Sequence, residues 1–143
     1  MKTATLIEEA LDWAVAKALG FFPAKREKRP WGVAIVPAPE KKYSKIMINA
    51  EGQTLNLGTF HPSSDDEQGG RIIDMKLVGT TPCFKAAGYE NPTGEWYWQA
   101  SMPSEDGSIE ESCYGKTRLV AAMRKVVTSE LGEDVSIPTE LYQ

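Results

Sequence analysis

Apolar residues recur at helical spacing in two stretches, one near each end of the chain. Ile7, Leu11, Ala14, Val15 and Ala18 fall on one face of a helix predicted over residues 5–19. Thr5 followed by Glu8 fits a capping box, and Gly20 stands where a left-handed residue would end the helix. In the second stretch Leu119, Val120, Met123, Val126, Val127 and Leu131 form the stripe. Thr117 is placed to cap that helix, Gly132 to end it, and Pro138 prevents its renewal.

Between the helices the pattern changes to short alternating runs. Phe21 to Gly32 holds two prolines and a charged run, and reads as a loop. Trp31 to Val36 is a β-branched segment stopped by Pro37 and Pro39. Lys42 to Asn49 alternates, Glu51-Gly52 reads as a turn, and Gln53 to Phe60 supplies a partner strand with Leu55 and Leu57 inward, which together predict a hairpin. His61 to Gly70 is polar and turn-forming. Arg71 to Val78 fits either a strand or a short helix, and Phe84 to Pro92 reads as loop. Glu95 to Met102 is the clearest strand, with Trp96, Trp98 and Ala100 on one side and Tyr97, Gln99 and Ser101 on the other. A turn at Glu105 to Ser108 precedes a return strand at Ile109 to Tyr114. The expected class is α+β, with N- and C-terminal amphipathic helices packed on a small, mainly antiparallel sheet.

Length and composition narrow this picture. At 143 residues the chain suits one domain over 1–143, with a basic loop at about 22–31 and a flexible tail at about 138–143. No apolar run approaches the roughly 18 residues of a membrane span, so no membrane partner is expected. The formal charge of -4 divides unevenly: residues 1–50 hold nine Lys+Arg against five Asp+Glu, and residues 51–143 hold seven against fifteen. That acidic balance argues against nucleic acid as the main partner. Cys83 and Cys113 lie in no metal-ligand spacing, His61 is the single histidine, and the N-terminus has no secretory apolar stretch. Free thiols, a reducing cytoplasm, no metal, no cofactor and a monomer or homodimer are the expectations.

Four blocks then combine: ALDWAVAKALG at Ala10–Gly20, FHPSSDDEQGGRIID at Phe60–Asp74, WYWQA at Trp96–Ala100, and YGKTRLVAAMRKVVTSELGEDVSIPTEL at Tyr114–Leu141. Together they resemble the NinX-like family of temperate phages and prophages. The resemblance implies a phage or prophage origin and a host-cytoplasm setting, and supplies no activity. Members of that family usually carry a tryptophan within the serine-rich block and a proline near the start of the last helix; Asp66 and Arg118 stand there in this chain. The segment Phe22 to Ile48 has no recognised counterpart in the family.

The candidate chemistry concentrates in one block. His61, Ser63, Ser64, Asp65, Asp66, Gln68, Gly69 and Gly70 form a possible ligand loop: hydroxyls and glycine N–H groups suit an anion, and Asp65, Asp66 and Glu67 suit a hard cation. The plainer alternative is a tight turn entering one helical turn, with Ser64 and Glu67 as a capping box and the glycines ending it. His61 beside these acids is a candidate general base. Trp96, Tyr97 and Trp98 suit a stacking platform, although alternation places Trp96 and Trp98 in the core. Trp13 falls off the first helix's apolar face, where an exposed ring would mark an interface. Lys25, Arg26, Lys28, Arg29 and Trp31 form a small basic-aromatic set suited to phosphates. Arg124 and Lys125 are expected to oppose the partial negative charge at the last helix's end. No phosphate loop, HExxH or GxSxG occurs.

The function read from these residues is a phage or prophage accessory protein, more a binder of a host or phage protein or a small ligand than an enzyme. One alternative is a small metal-assisted hydrolase built on the 61–70 block. The other is weak nucleic-acid binding through residues 25–31.

Overall fold

The computed structural model describes residues 1–38, 43–88, 93–104, 106 and 111–141. After a 3-10 turn at Thr3–Thr5 come α1 (Glu8–Ala18), β1 (Phe22–Arg29), β2 (Gly32–Pro37), β3 (Ile46–Ile48) and β4 (Thr54–Asn56). They are followed by α2 (Asp66–Lys76), β5 (Gly79–Lys85), β6 (Glu95–Ser101), β7 (Cys113–Gly115), α3 (Arg118–Leu131) and a second 3-10 turn at Thr139–Leu141. The α+β class is as expected, but the strands form two antiparallel sheets rather than one, ordered β2-β1-β3-β4 and β5-β6-β7. The helix α2 is an additional element between them.

The helix α3 organises the molecule. Thr117 accepts from the Val120 N–H at 3.1 Å, satisfying one of the helix's free N-terminal donors, and Gly132 at φ 91° ends it. Its apolar stripe, Leu119, Met123, Val126 and Val127, is buried, and the helix packs on the β5-β6-β7 sheet, on α1 and on α2. Contact with β7 depends on Gly115: a Cβ there would lie 2.7 Å from the Ala121 nitrogen. Strand and helix therefore approach more closely than any side chain would allow.

The helix α1 is shorter than predicted and buried on every side from Ala10 to Ala16. Its capping box does not form. Thr5 sits in the preceding 3-10 turn and donates its hydroxyl to the Lys2 carbonyl, while Ile7 occupies the N-cap without a side-chain bond. Gly20 at φ 96° does end the helix, with Phe21 N–H reaching back to the Ala16 carbonyl. Trp13 is not an exposed interface residue: its ring is 2% exposed within the core, because this helix is enclosed rather than lying on a surface.

Four further expectations change. Residues 22–29 are a strand, not a loop; β1 pairs along its length with the β-branched β2, from Ala24↔Pro37 to Arg29↔Gly32. The 61–70 block does not stop at its glycines, since α2 runs through Gly69 and Gly70 to Lys76. The expected flexible tail is anchored as far as Leu141, with Val135, Ile137 and Leu141 in the core and Val135 N–H bonded to the Met1 carbonyl. Arg124 and Lys125 do not serve the end of α3, which lies more than a turn further on. Arg124 donates from Nε to the Leu6 carbonyl and from Nη1 to the Tyr114 carbonyl, and the buried Lys125 donates to the Glu111 carbonyl at 2.9 Å. The predicted hairpin is present as β3 and β4, with Met47↔Leu55 paired at its centre. Apart from residue 106, the turn at 105–108 falls outside the described residues, as do residues 109 and 110 of the expected return strand, whose described part contains β7.

Candidate functional site

The 61–70 block is a hydrogen-bonded junction between the hairpin, α1 and α2. After His61 the chain turns, with Ser64 and Asp65 N–H groups both directed to the His61 carbonyl. Asp65, rather than Ser64, then caps α2 by accepting from the Gln68 N–H at 3.0 Å. Gln68 reaches back over the turn, accepting from His61 N–H at 2.7 Å and donating to the Thr59 carbonyl at 2.9 Å. Ser63 is buried and donates its N–H to Asp12 Oδ1 at 2.9 Å, fixing the block to the middle of α1.

Asp12 is the residue the sequence reading missed. An acid inside the apolar run ALDWAVAKAL is the one signal that marked it. Its carboxyl is 4% exposed, and burial raises its pKa above the ordinary 3.8, opposed by hydrogen bonds from Ser63 and by His61. His61 Nδ1 lies 3.6 Å from Asp12 Oδ2, and Nε2 lies 3.0 Å from the Gly58 carbonyl. A carbonyl only accepts, so geometry assigns the hydrogen to Nε2. With one nitrogen spent on Gly58 and the other turned to Asp12, His61 in this arrangement is not set beside a serine hydroxyl as its base.

The three acids do not converge. Asp65 is the cap, Asp66 is exposed in the first turn, and Glu67 pairs with Arg71 at 2.6 Å across one helical turn. Among the described residues no three His, Cys, Asp or Glu side chains lie close enough to share a metal ion. Gly69 and Gly70 do not cradle an anion either, because the Gly69 N–H is directed to the Asp65 carbonyl within the helix. Gly69 serves packing instead: a Cβ there would run into the Pro62 carbonyl oxygen and lie 2.6 Å from Leu119 Cδ2 of α3. Ile7, Glu8, Glu9, Asp12, His61, Ser63, Ser64 and Val120 enclose a small hollow of about 290 Å³.

A larger hollow, about 720 Å³, lies elsewhere, and none of the 61–70 block borders it. Its walls include Trp96, Tyr97, Tyr114, Cys113, Lys116 and Arg124. Trp96 lies on the same side of β6 as Ala100, as predicted, but beyond the cover of the core, and is 68% exposed. It meets Phe84, 51% exposed on the paired strand, with ring centroids 5.0 Å apart, and Tyr97 meets Tyr114 at 5.9 Å. Trp98 packs half-buried against the core. The expected platform of Trp96, Tyr97 and Trp98 is therefore divided, and Phe84, read as loop, supplies the partner ring. Burial lowers the Arg124 pKa from its ordinary value, with Cys113 opposing.

The basic set is brought together on one hairpin. Lys25, Arg26, Lys28 and Arg29 are exposed along β1, and Trp31 is 75% exposed in its turn. Arg29 makes a surface pair with Glu27 at 3.5 Å.

The architecture is that of an α+β protein with two small antiparallel sheets, one of them, β5-β6-β7, packed on the helix α3. A family model described as "Bacteriophage P22, NinX" matches residues 2–130, and the chain belongs to that family. The matched span includes Phe22 to Ile48, where no counterpart was expected. No curated protein sequence matches the chain. No helix among the described residues is long and apolar enough to cross a membrane.

Proposed function

We propose that this chain is a phage accessory protein that acts by binding, and that the Phe84–Trp96 ring pair and the adjoining hollow receive an apolar or aromatic group of a partner protein or small ligand. The observation that carries this reading is the exposure of Trp96, 68%, at the rim of a hollow of about 720 Å³. Large aromatic side chains are costly to leave in water: removing 150 Å² of such surface is worth about 4 kcal/mol at about 25 cal/mol per Å². The walls carry both signs, Lys2, Lys85, Lys116 and Arg124 with Glu95, Glu111 and Glu133, so the aromatic surface rather than net charge selects the group.

The test places a photo-crosslinking residue at position 85 in induced lysogenic cells. A discrete adduct that disappears in a folded Trp96→Ala/Phe84→Ser variant is the expected result. Adducts that are absent, or indifferent to these two substitutions, would remove this surface from consideration.

A further inference from the structure

The strands β1 and β2 continue past the four-stranded sheet as a free two-stranded arm. β1 pairs with β3 only at Phe22 and Pro23, whereas its pairing with β2 runs on through six residue pairs to Arg29↔Gly32. At about 3.3 Å per residue this gives an arm of roughly 20 Å, closed by Pro30 and Trp31. Its base is fixed: Ala38 N–H bonds the Pro23 carbonyl and Ser44 Oγ donates to the Ala24 carbonyl at 2.7 Å. Beyond that, no described strand covers the outer edge of β1.

The chemistry of the arm is divided by strand. β1 carries four cations and one carboxylate, and β2 carries Val33, Ala34, Ile35 and Val36. Alternation sets Arg26 and Lys28 on one face, beside Ile35 and Val33, and Lys25 and Arg29 on the other. Lys25, Arg26 and Lys28 make no ion pair among the described residues. A ribbon with cations on both faces and an exposed Trp31 at its tip gains nothing from the fold it extends from.

We infer that the β1–β2 arm inserts into a groove of duplex DNA, with Lys25, Arg26, Lys28 and Arg29 on the flanking phosphates and Pro30-Trp31 against the bases. Two paired strands fit a major groove about 12 Å wide, and cations on both faces address both of its walls. An apolar tip is the part that wedges against base steps. Single-stranded nucleic acid is bound by a groove in the protein, and a projecting ribbon fills a groove rather than offering one. The whole chain carries -4, so the acidic body is repelled by phosphate and holds the arm foremost. This reading is independent of the aromatic hollow.

The experiment is fluorescence anisotropy of a labelled 30-bp duplex titrated with the full chain at several salt concentrations. Four phosphate contacts give a log–log slope of about -3.6, hence an affinity about 150-fold weaker at 200 mM than at 50 mM salt. A folded variant with Lys25→Gln, Arg26→Gln, Lys28→Gln and Arg29→Gln loses binding. Trp31→Ala weakens it about 5- to 100-fold with the slope retained. An Arg71→Gln/Lys76→Gln variant, neutral on α2, leaves it unchanged. Absence of duplex binding at 50 mM salt overturns the inference. So does equal loss in the α2 variant, or tighter binding of a single-stranded 30-mer.

Discussion

Asp12 carries an electrostatic cost that the fold tolerates for a positional reason. Its Oδ1 is the acceptor for the buried Ser63 N–H, which would otherwise be left without a partner where α1 meets the entry to α2. Burial raises the carboxyl above 3.8, so the folded chain holds this proton to a higher pH than the unfolded chain does. The folded state therefore binds more protons within that window, and the contribution of Asp12 to stability falls as pH rises from about 3.8 through the raised value. Asp12→Asn keeps an acceptor for Ser63 and removes the titration. Chemical denaturation of both proteins from neutral pH to about 3.8 should show the wild type gaining stability relative to the variant on acidification. A relative loss on acidification would mean that Ser63 and His61 outweigh desolvation.

Elements whose own periodicity meets a buried face were legible in the sequence, and elements made by a neighbour were not. The helix α3 was readable to its caps because Thr117, the stripe from Leu119 to Leu131 and Gly132 all specify one local structure. β6 and the β3–β4 hairpin were readable for the same reason. β1 was not, because both faces of the arm meet water, so KREKR shows no alternation and becomes a strand only through pairing with β2. β5 contains Pro82, whose missing N–H is tolerated because β5 lies at the sheet edge. Gly69-Gly70 read as a helix stop, yet α2 passes through both, since close packing on α3 outweighs their low propensity. Of the proposed loop residues, the sequence located the junction but not its role, because the contact that defines it joins Asp12 to Ser63 across the chain. The two glycines should respond with opposite signs. Gly70→Ala meets nothing within 4 Å and should stabilise by about 0.5–1 kcal/mol, whereas Gly69→Ala drives a Cβ into the Pro62 carbonyl oxygen and Leu119 and should cost about 1–3 kcal/mol. Thermal denaturation of the two variants decides it, and destabilisation by both would mean that Gly70 is needed for something other than the helix.

At the scale of the molecule, the two ends of the chain close the core together. Met1 N–H donates to the Val135 carbonyl at 3.1 Å, Val135 N–H returns to Met1, Thr3 N–H donates to the Glu133 carbonyl at 2.8 Å, and Lys2 pairs with Asp134. This short antiparallel join carries Val135, Ile137 and Leu141 into the cluster that holds α1 and α3. The family match stops at residue 130, so these three side chains lie beyond it while belonging to the same core. Each buried aliphatic is worth about 1.5–3 kcal/mol, which places their sum at about 5 kcal/mol or more, the lower end of a typical domain's whole stability. Ending the chain after Gly132 should therefore lower the melting temperature by about 15 °C or leave no cooperative transition, and Leu141→Ala alone should cost about 2–5 kcal/mol. The exposed ion pair is the contrasting case: Lys2→Ala loses only a contact between side chains that are each 66% exposed, and should shift stability by less than about 1 kcal/mol. A truncated chain that melts with the full-length one would place the closing of the core in α1 and α3 alone.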